Sequence, residues 1–398
     1  MDIVKLKDLT VDGKGTYGVA APAVEYQENL PTYLRITDIL DDGTLNLSEL
    51  KSVKVPDSER YMLRPNDIVF ARTGGSTGRN YFYDGTDGAF VYAGFLIKFS
   101  LDPKKVNPKF IKYFCQSEQY KQWVRSFNTG STRGNINAQT FGNMEIALPG
   151  RKQQDHLVSI LESIGKKIKL NKKINDNLEQ QAVALFKSWF VDFSLFGGTV
   201  PENWEDTTLE NITTLITRGS APKYSDNSDQ TVVNQKCIRN HTIDLSLART
   251  HTPKAINEKW LKFGDLLINS TGDGTLGRVA QVWFAPKALT VDSHVTIVRP
   301  AREELIFYIG LWGILHEKEI ESLHTGSTGQ TELPRDRVKM LKLLLPDNIS
   351  LSRFNSIITP MASTIISNQE ENQKLASLRD TLLPKLMSGE IDVSNIQF

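Results

Sequence analysis

The 398-residue sequence contains little cysteine, no long apolar segment and almost no net charge. Cys115 and Cys237, its two cysteines, lie far apart, which excludes a disulfide framework and predicts a reduced, cytoplasmic protein. No segment approaches the roughly 18 uninterrupted apolar residues of a membrane helix. The first residues, Met1-Asp-Ile-Val, lack the apolar core of a signal peptide, so we expect none.

The charge balance restricts the kind of nucleic-acid binding that is possible. The formal net charge is +1, whereas a dedicated non-specific DNA-binding protein is usually strongly basic. A DNA-binding surface must therefore be local or be completed by a partner. The six histidines show no metal-ligand spacing, so we expect no metal site.

The sequence repeats itself with a period close to half its length. The segment Arg64–Phe70 matches Lys262–Ile268 in its pattern of turn and apolar residues, and Thr129–Thr132 has the same sequence as Thr325–Thr328. These matches share an offset of about 197 residues. The chain is therefore predicted to consist of two similar units in tandem.

Each predicted unit begins with a globule of mixed structure, formed by residues 1–150 in the first unit and by residues 193–347 in the second. Short apolar runs such as Asp67–Ala71 are separated by Gly, Asn, Asp and Pro and indicate strands. The stretches Pro108–Arg125 and Glu303–His324 indicate helices between the strands. The predicted fold class is α+β, with two similar domains.

Each globule is followed by a long predicted helix, over residues 151–192 and over residues 348–398 with the C-terminal tail. In the first helix the steps between seam residues alternate between four and three, which is typical of a coiled coil. This seam consists of Leu157, Leu161, Ile164, Ile168, Asn171, Asn175, Leu178, Ala182, Leu185 and Trp189. Its counterparts in the second helix are Phe354, Ile358, Met361, Ile365, Asn368, Asn372, Leu375, Arg379, Leu382 and Leu386. Pro360 and Pro384 are expected to kink or end the second helix.

The order globule, helix, globule, helix predicts two antiparallel long helices that hold the globules apart. This arrangement places Asn171 opposite Asn372 and Asn175 opposite Asn368, as buried polar pairs that set the register at some cost in stability. Alternatively, the asparagines face solvent at a break in the seam. The first helix spans about 60 Å, and two-fold readers of DNA place their half-sites about 34 Å apart. A rod of this length can hold two readers at such a separation.

Several segments carry recognisable motifs: Ala184–Phe193 at the end of the first long helix, Pro201–Trp204, the paired Thr-Gly-Ser-Thr segments and the tail Leu378–Ile391. With them the chain resembles the specificity subunits of type I restriction-modification systems. The resemblance covers essentially the whole chain, and its helix and tail motifs are specific. One departure is that Arg151-Lys-Gln-Gln opens the first helix without the double proline often seen there.

The resemblance implies that each globule is a target recognition domain that reads one half of a divided double-stranded DNA site. It implies that the helices dock two modification subunits, which methylate adenine at N6 with S-adenosylmethionine. Two restriction subunits would add translocation and cleavage that depend on ATP and Mg. No cofactor is implied for this chain itself. The alternative is a specificity subunit of a methylation-only or phase-variable system without restriction.

The residues themselves offer no catalytic constellation, so we expect a non-catalytic subunit. No Walker A segment and no Asn-Pro-Pro-Tyr-like methyltransferase segment is present. Gly272, Gly274 and Gly277 fit a dinucleotide-binding pattern, but the strand-like residues after them favour a turn between strands, with a close backbone approach to DNA as the alternative. The competing function classes are a methyltransferase fused to its reader and a coiled-coil scaffold that binds only protein.

Polar residues in turns at matching places of both globules are the candidates for DNA contacts. Arginine can pair with guanine, and asparagine or glutamine with adenine, although contacts to phosphate are as common. The candidates in the first globule are Arg35, Thr37, Arg72, Thr73, Arg79, Asn80, Ser131, Thr132, Arg133 and Asn135. Those in the second are Lys236, Arg239, Asn240, Ser270, Thr271, Arg278, Ser327, Thr328 and Gln330. The Thr-Gly-Ser-Thr residues are the same in both globules, which favours a role on phosphates or in the fold.

Overall fold

The structure is a computed structural model that describes residues 2–127, 134–252, 257–326, 331–391 and residue 393. By compactness the chain forms two units, residues 1–168 with 373–398, and residues 169–372. Each unit holds one globule together with parts of both long helices. The predicted domain boundaries at residues 150, 192 and 347 lie at the ends of the long helices, whereas the two compact units divide within those helices. The predicted division into four domains therefore stays a prediction.

The first globule consists of short strands and helices. Its elements, with the long helix that follows, are β1 Asp2–Lys5, β2 Thr16–Tyr17, β3 Ala23–Glu25, β4 Thr32–Leu34, β5 Lys51–Val53, β6 Asp67–Ala71, β7 Asn80–Tyr83, β8 Phe90–Tyr92, β9 Leu96–Ser100, α1 Pro108–Phe114, α2 Glu118–Arg125, α3 Ala138–Gly142, β10 Glu145–Leu148 and α4 Arg151–Phe190. The sheets have the strand orders β2-β9-β6-β7, β3-β5-β4-β8 and β1-β10. Strands β4 and β8 pair in parallel, and the other pairs are antiparallel.

The second globule repeats this topology. Its elements, with the long helix that follows, are β11 Glu205–Thr208, β12 Thr213–Arg218, β13 Lys223–Tyr224, β14 Thr231–Val233, β15 Ile238–Arg239, β16 Thr242–Ile243, β17 Arg249–Thr252, β18 Leu266–Asn269, β19 Val279–Gln281, β20 Leu289–Val291, β21 Val295–Pro300, α5 Ile306–Leu315, α6 Glu317–Ser322, α7 Arg335–Lys339, β22 Lys342–Leu345 and α8 Asn348–Ser388. The orders β12-β21-β18-β19, β13-β17-β14-β20 and β11-β22 match the first globule strand for strand, and a hairpin β15-β16 is added. The predicted α+β class and internal repeat are confirmed.

The same turn precedes an inner strand of one four-stranded sheet in both globules, β6 in the first and β18 in the second. In the first globule the Asp67 carboxylate accepts a hydrogen bond from the Arg64 amide at 2.8 Å, and in the second Asp265 accepts from the Lys262 amide at 2.8 Å. The strands that follow, β6 and β18, are buried along their whole length between two neighbours. Continuous apolar runs of four or five residues are typical of strands covered on both faces.

The two stretches predicted to be helical, Pro108–Arg125 and Glu303–His324, each contain two short α-helices. Between α1 and α2 the Ser117 hydroxyl accepts a hydrogen bond from the Tyr120 amide at 3.3 Å, so Ser117 caps a new helix. Helix α5 ends at Leu315, and α6 begins at Glu317 after the single residue His316. The prediction of helical stretches here is therefore confirmed, and each stretch contains two α-helices.

Within the second unit the long helices run antiparallel. The Asn171 amide group donates to Asn372 Oδ1 at 3.0 Å, and the Asn368 amide group donates to Asn175 Oδ1 at 2.8 Å. These are the pairs that the repeated seam predicts. The higher-numbered asparagine of α4 pairs with the lower-numbered asparagine of α8, which is the order that antiparallel helices require. Asn171 is 1% exposed, so the alternative of a solvent-facing asparagine does not hold for it.

Helix α8 continues through both of its prolines, from Asn348 to Ser388. The expectation that a proline ends the helix was therefore wrong, whereas a kink at Pro360 or Pro384 stays a prediction. A proline removes one intrahelical hydrogen bond, and packing of the helix along its buried seam outweighs that loss. Among the described residues, no helix combines the length and the apolar character that crossing a membrane requires.

The N-terminus of α8 is fixed by Asp347. Its carboxylate accepts hydrogen bonds from the amides of Ile349 and Ser350 at 2.9 and 3.0 Å, and from Trp204 Nε1 at 2.8 Å. Burial acts to raise the pKa of Asp347, but the hydrogen bonds from Ser350 and Trp204 outweigh it and lower the pKa to about 2. The motif Pro201–Trp204 thus has a structural role, because its tryptophan holds the cap of the second long helix.

Candidate DNA interface

Two of the predicted clusters meet at the end of strand β6. The Ile136 amide donates to the Arg72 carbonyl at 2.9 Å, and Thr73 forms a bridge with Asn135. The Thr77 hydroxyl donates to the Gly134 carbonyl at 3.0 Å. The turn after β6 and the segment before α3 therefore form one continuous surface. Ser131, Thr132 and Arg133 lie outside the described residues.

Three of the four candidate arginines of the first globule lie in the described residues, and they are in different situations. Arg35 donates to both carboxylate oxygens of Asp38, at 3.0 and 2.6 Å, and this pairing raises its pKa against the effect of burial. Arg79 Nε donates to Asp41 at 2.7 Å. Arg72 lies over the Tyr17 ring at 5.2 Å, and its buried Nε has no hydrogen-bond partner. Arg35 and Arg79 therefore hold loops together, whereas the donors of Arg72 are uncommitted.

Two predicted DNA contacts are core residues instead. Asn80, the first residue of β7, is 8% exposed, and its amide group donates to the carbonyls of Gly78 and Cys115 at 3.5 and 3.4 Å. Ser270 is fully buried, with its hydroxyl 2.5 Å from the Thr296 hydroxyl. Both prediction errors have one cause, because Asn80 begins and Ser270 follows a strand that is buried along its whole length, so neither side chain reaches solvent. Thr37, which the same reasoning selected, is exposed.

The corresponding surface of the second globule is built in the same way. The Leu333 amide donates to the Ser270 carbonyl at 2.8 Å, and Thr271 forms a bridge with Glu332. The Thr271 hydroxyl lies 2.7 Å from His294 Nδ1, so this candidate is held within the fold. Ser327, Thr328 and Gln330 lie outside the described residues.

A third cluster of the second globule lies on and beside the hairpin β15-β16. Lys236, Arg239 and Asn240 are all exposed, as a DNA-contacting surface requires. The neighbouring Gln235 connects this cluster to the turn after β18, because its carbonyl accepts from Asn269 Nδ2 at 3.0 Å and its side chain from the Thr271 hydroxyl at 3.3 Å. The structure thus brings two of the predicted clusters of this globule together.

His241 anchors that hairpin to two helices. Its Nδ1 lies 3.1 Å from Glu179 of α4, and its Nε2 lies 3.5 Å from Glu317 of α6. The hydrogen bonds to Glu179 and then to Glu317 raise the pKa of His241 to about 9. Burial acts to raise the pKa of Glu317, but the hydrogen bonds from His241 and the Val279 amide, with the charges of His241 and Arg278, lower it. The half-buried Arg278 therefore acts on Glu317 within the fold.

The glycine-rich segment of the second globule is a turn between two strands. Gly272 and Gly277 have φ values of 101° and 84°, and the strand β19 follows at Val279. No helix begins there, so the arrangement that a dinucleotide pyrophosphate needs is missing and the prediction of a turn is confirmed. Among the described residues, no group of three or more His, Cys, Asp or Glu side chains could hold a metal ion.

Several residues that shape this surface were not singled out in the sequence. They are Tyr17, Arg218, Gln235, His241 and Glu332. Tyr17 and Arg218 come from strands far from the turns in sequence, so only the pairing of strands reveals them. Glu332 could have been found from the repeat alone, because it lies about 197 residues after Asn135.

Comparison with known proteins identifies relatives over most of the chain. Residues 3–180 match the family described as the type I restriction modification DNA specificity domain. The type I restriction enzyme MjaIX specificity subunit of Methanocaldococcus jannaschii is 25% identical over 314 residues, 72% of this chain and 70% of that protein. The type I restriction enzyme HindI specificity subunit of Haemophilus influenzae is 20% identical, with 90% of this chain and 94% of that protein covered.

A solved structure shares the fold. It is the S subunit of a type I restriction-modification system from M. genitalium, with a TM-score of 0.54 and 15% sequence identity. The match covers 97% of this chain and 95% of that one. The arrangement of two globules and two long helices in one chain is therefore an established fold.

Proposed function

We propose that the chain is a DNA specificity subunit of a type I restriction-modification system, as its relatives are named, and that each of its two globules reads one half of a divided DNA target. One observation carries the proposal. The globules share strand order, yet their matching turns carry different polar side chains, such as Arg72 in one and Ser270 in the other. Two readers on a common scaffold need this combination, because phosphate contacts position a protein whereas side chains at base edges specify sequence.

A specificity subunit recognises DNA and leaves the chemistry to its partners. This chain binds DNA and works with methyltransferase and restriction subunits, two of each. The methyltransferase subunits dock on α4 and α8, where apolar side chains such as Leu170 and Ile174 of α4 and Ile357 of α8 are exposed. S-adenosylmethionine binds to the methyltransferase subunits, and ATP and Mg²⁺ bind to the restriction subunits. The relatives are named as restriction-enzyme subunits, which favours a restriction system over a methylation-only one.

The test is reconstitution of the full chain with its methyltransferase partner. The complex should shift a DNA fragment in a gel and, with S-adenosylmethionine, methylate adenines within one divided sequence, as read by methylation-sensitive sequencing. The chain alone should transfer no methyl group. Methyl transfer by the isolated chain would support the fused-enzyme class instead, and a complex without any DNA preference would support the scaffold class.

A further inference from the structure

The strand register shows which residues of the two globules occupy the same place. Tyr17 of β2 pairs with Ile97, and Arg218 of β12 pairs with Thr296. Those two partners in turn pair with Phe70 and Ile268, which the repeat matches to each other. Tyr17 and Arg218 are therefore equivalent, although one is aromatic and the other cationic.

Two further positions are equivalent by the same kind of evidence. The carbonyls of Arg72 and Ser270 accept from the amides of Ile136 and Leu333, respectively. Asn135 and Glu332 follow as another pair, because each forms a bridge with the threonine that comes after Arg72 or Ser270. Three side-chain positions, which we call the variable triplet, thus differ in chemistry on one shared backbone. They are Tyr17, Arg72 and Asn135 in the first globule and Arg218, Ser270 and Glu332 in the second.

In the first globule the variable triplet presents hydrogen-bond donors. The Arg72 guanidinium lies over the Tyr17 ring, and no carboxylate among the described residues pairs with it. Its Nε is buried and unpartnered, while Asn135 is exposed beside it. Stacking on an aromatic face orients a guanidinium without consuming its N–H groups. Arg72 is therefore positioned with its donor fork free.

In the second globule the variable triplet presents an acceptor. Ser270 is buried and reaches no surface. Arg218, on the neighbouring strand, pairs with Glu332 and donates from Nη2 to the Leu333 carbonyl at 2.6 Å. The Glu332 side chain stays 56% exposed. The arginine here is neutralised, and the group that remains accessible is a carboxylate.

On the basis of the proposed function, we propose that the variable triplet is a base-reading position in both globules. Arg72 donates to the N7 and O6 atoms of a guanine in one half-site, and Glu332 accepts from a base amino group in the other. A phosphate role does not fit the second globule, because the paired Arg218 and Glu332 have no net positive charge to attract the DNA backbone. Two domains that contacted only phosphates would also not need a hydrogen-bond donor in one variable triplet and an acceptor in the other.

The test uses the full chain in complex with its methyltransferase subunit. The variants are Arg72→Ala and Glu332→Gln, and the readouts are methylation of a randomised DNA library and binding at several salt concentrations. Arg72→Ala should lower the preference for guanine at one position of one half-site by about tenfold to a hundredfold and leave the other half-site unchanged. Glu332→Gln should change the preferred base at one position of the other half-site.

Arg79→Ala is the matched control, because this arginine lies on the same turn but is bound to Asp41. It should leave the base preferences intact. Circular dichroism checks that each variant folds. If Arg72→Ala does not fold, Arg72→Lys is used instead, because it keeps the positive charge. The lysine variant should bind with a weakened guanine preference, because it lacks the planar fork.

The outcomes separate this inference from the proposed function. If the unaltered complex has no sequence preference, the proposed function fails. If the unaltered complex is selective but Arg72→Ala weakens binding equally for all sequences, and the salt slope falls by about one, Arg72 contacts phosphate and this inference is wrong. If Glu332→Gln leaves every base preference unchanged, the inference is wrong for the second globule.

Discussion

The contact of His241 with Glu179 and Glu317 makes the second globule sensitive to alkaline pH. A histidine whose pKa is raised in the folded protein stabilises the fold while it is protonated, so the contribution is complete below pH 6.5 and disappears as the pH rises through about 9. We expect the free energy of unfolding to fall by about 1–2 kcal/mol across this range, after allowance for screening by solvent.

Urea unfolding followed by circular dichroism at several pH values measures this effect. The variant His241→Gln should be less stable near pH 6.5 and should lose most of the pH dependence. His324→Gln is the control, because His324 is exposed and its Nδ1 lies near a backbone carbonyl rather than a carboxylate. An equal alkaline loss of stability in His241→Gln and the unaltered protein would contradict the assignment.

Gly78 is required by both conformation and space. Its φ is 86°, and an added Cβ would lie 2.4 Å from Val124 Cγ1 of α2. Gly78→Ala should therefore destabilise the first globule by about 2–4 kcal/mol, from the left-handed conformation and the overlap together. Gly75→Ala is the control on the same turn, because an added Cβ meets nothing within 4 Å there. Thermal unfolding compares the two, and similar midpoints would refute the argument.

At the scale of single residues, the sequence predicted which side chains have suitable polar groups better than it predicted which of them reach solvent. Arg72, Arg239 and Asn135 were selected as polar turn residues, and the structure leaves their polar groups uncommitted or exposed. Asn80 and Ser270 have the same character in the sequence but face the interior. A side chain next to a turn changes face with a shift of one residue, and the strand register that decides this is set by distant partners.

At the scale of elements, the long helices could be predicted closely, whereas only a few of the strands could, such as Asp67–Ala71, which is found as β6. A heptad seam repeats a local signal over many turns, so the first helix, predicted over 151–192, is found at Arg151–Phe190. Most strands contain only two to four residues, too few for periodicity to identify them. The parallel pairing of β4 with β8 and of β14 with β20 depends on contacts that no local pattern encodes.

The asparagine pair Asn171 and Asn372 offers a test of how the helices are aligned. Replacing Asn171 alone with Leu leaves Asn372 Oδ1 without its hydrogen-bond donor, which should cost about 1–3 kcal/mol. Replacing both with Leu should recover or exceed the original stability, because two apolar side chains suit the seam. Denaturant unfolding of the single and double variants gives the coupling energy.

The exposed Asn177 on the same helix provides the control, since Asn177→Leu removes no contact with α8. It should change stability by less than about 0.5 kcal/mol. Additive effects of Asn171→Leu and Asn372→Leu would show that the two side chains do not interact.

At the scale of the whole molecule, the repeat predicted two similar domains but not how each is completed. The first unit includes both ends of the chain, because Leu157 and Leu161 of α4 and Leu386 of α8 belong to the same apolar cluster as the first globule. Glu162 of α4 also accepts from Lys109 Nζ at 2.6 Å. Contacts between segments more than 200 residues apart leave no trace in a pattern along the chain. These contacts determine how a domain exchange must be designed.

Replacing residues 1–150 with the same region of another family member should change one half of the recognised sequence and leave the other intact. The donor must present an apolar surface to Leu157, Leu161 and Leu386 and a lysine at the position of Lys109, or the graft will lose its support on the long helices. Methylation-sensitive sequencing of cells that carry the chimera with the methyltransferase subunit reads both halves at once. A graft from a relative with the same first half-site is the control and should change neither half. Changes in both halves after the informative graft would show that the globules do not read DNA independently, because a reader confined to residues 193–347 has no reason to respond.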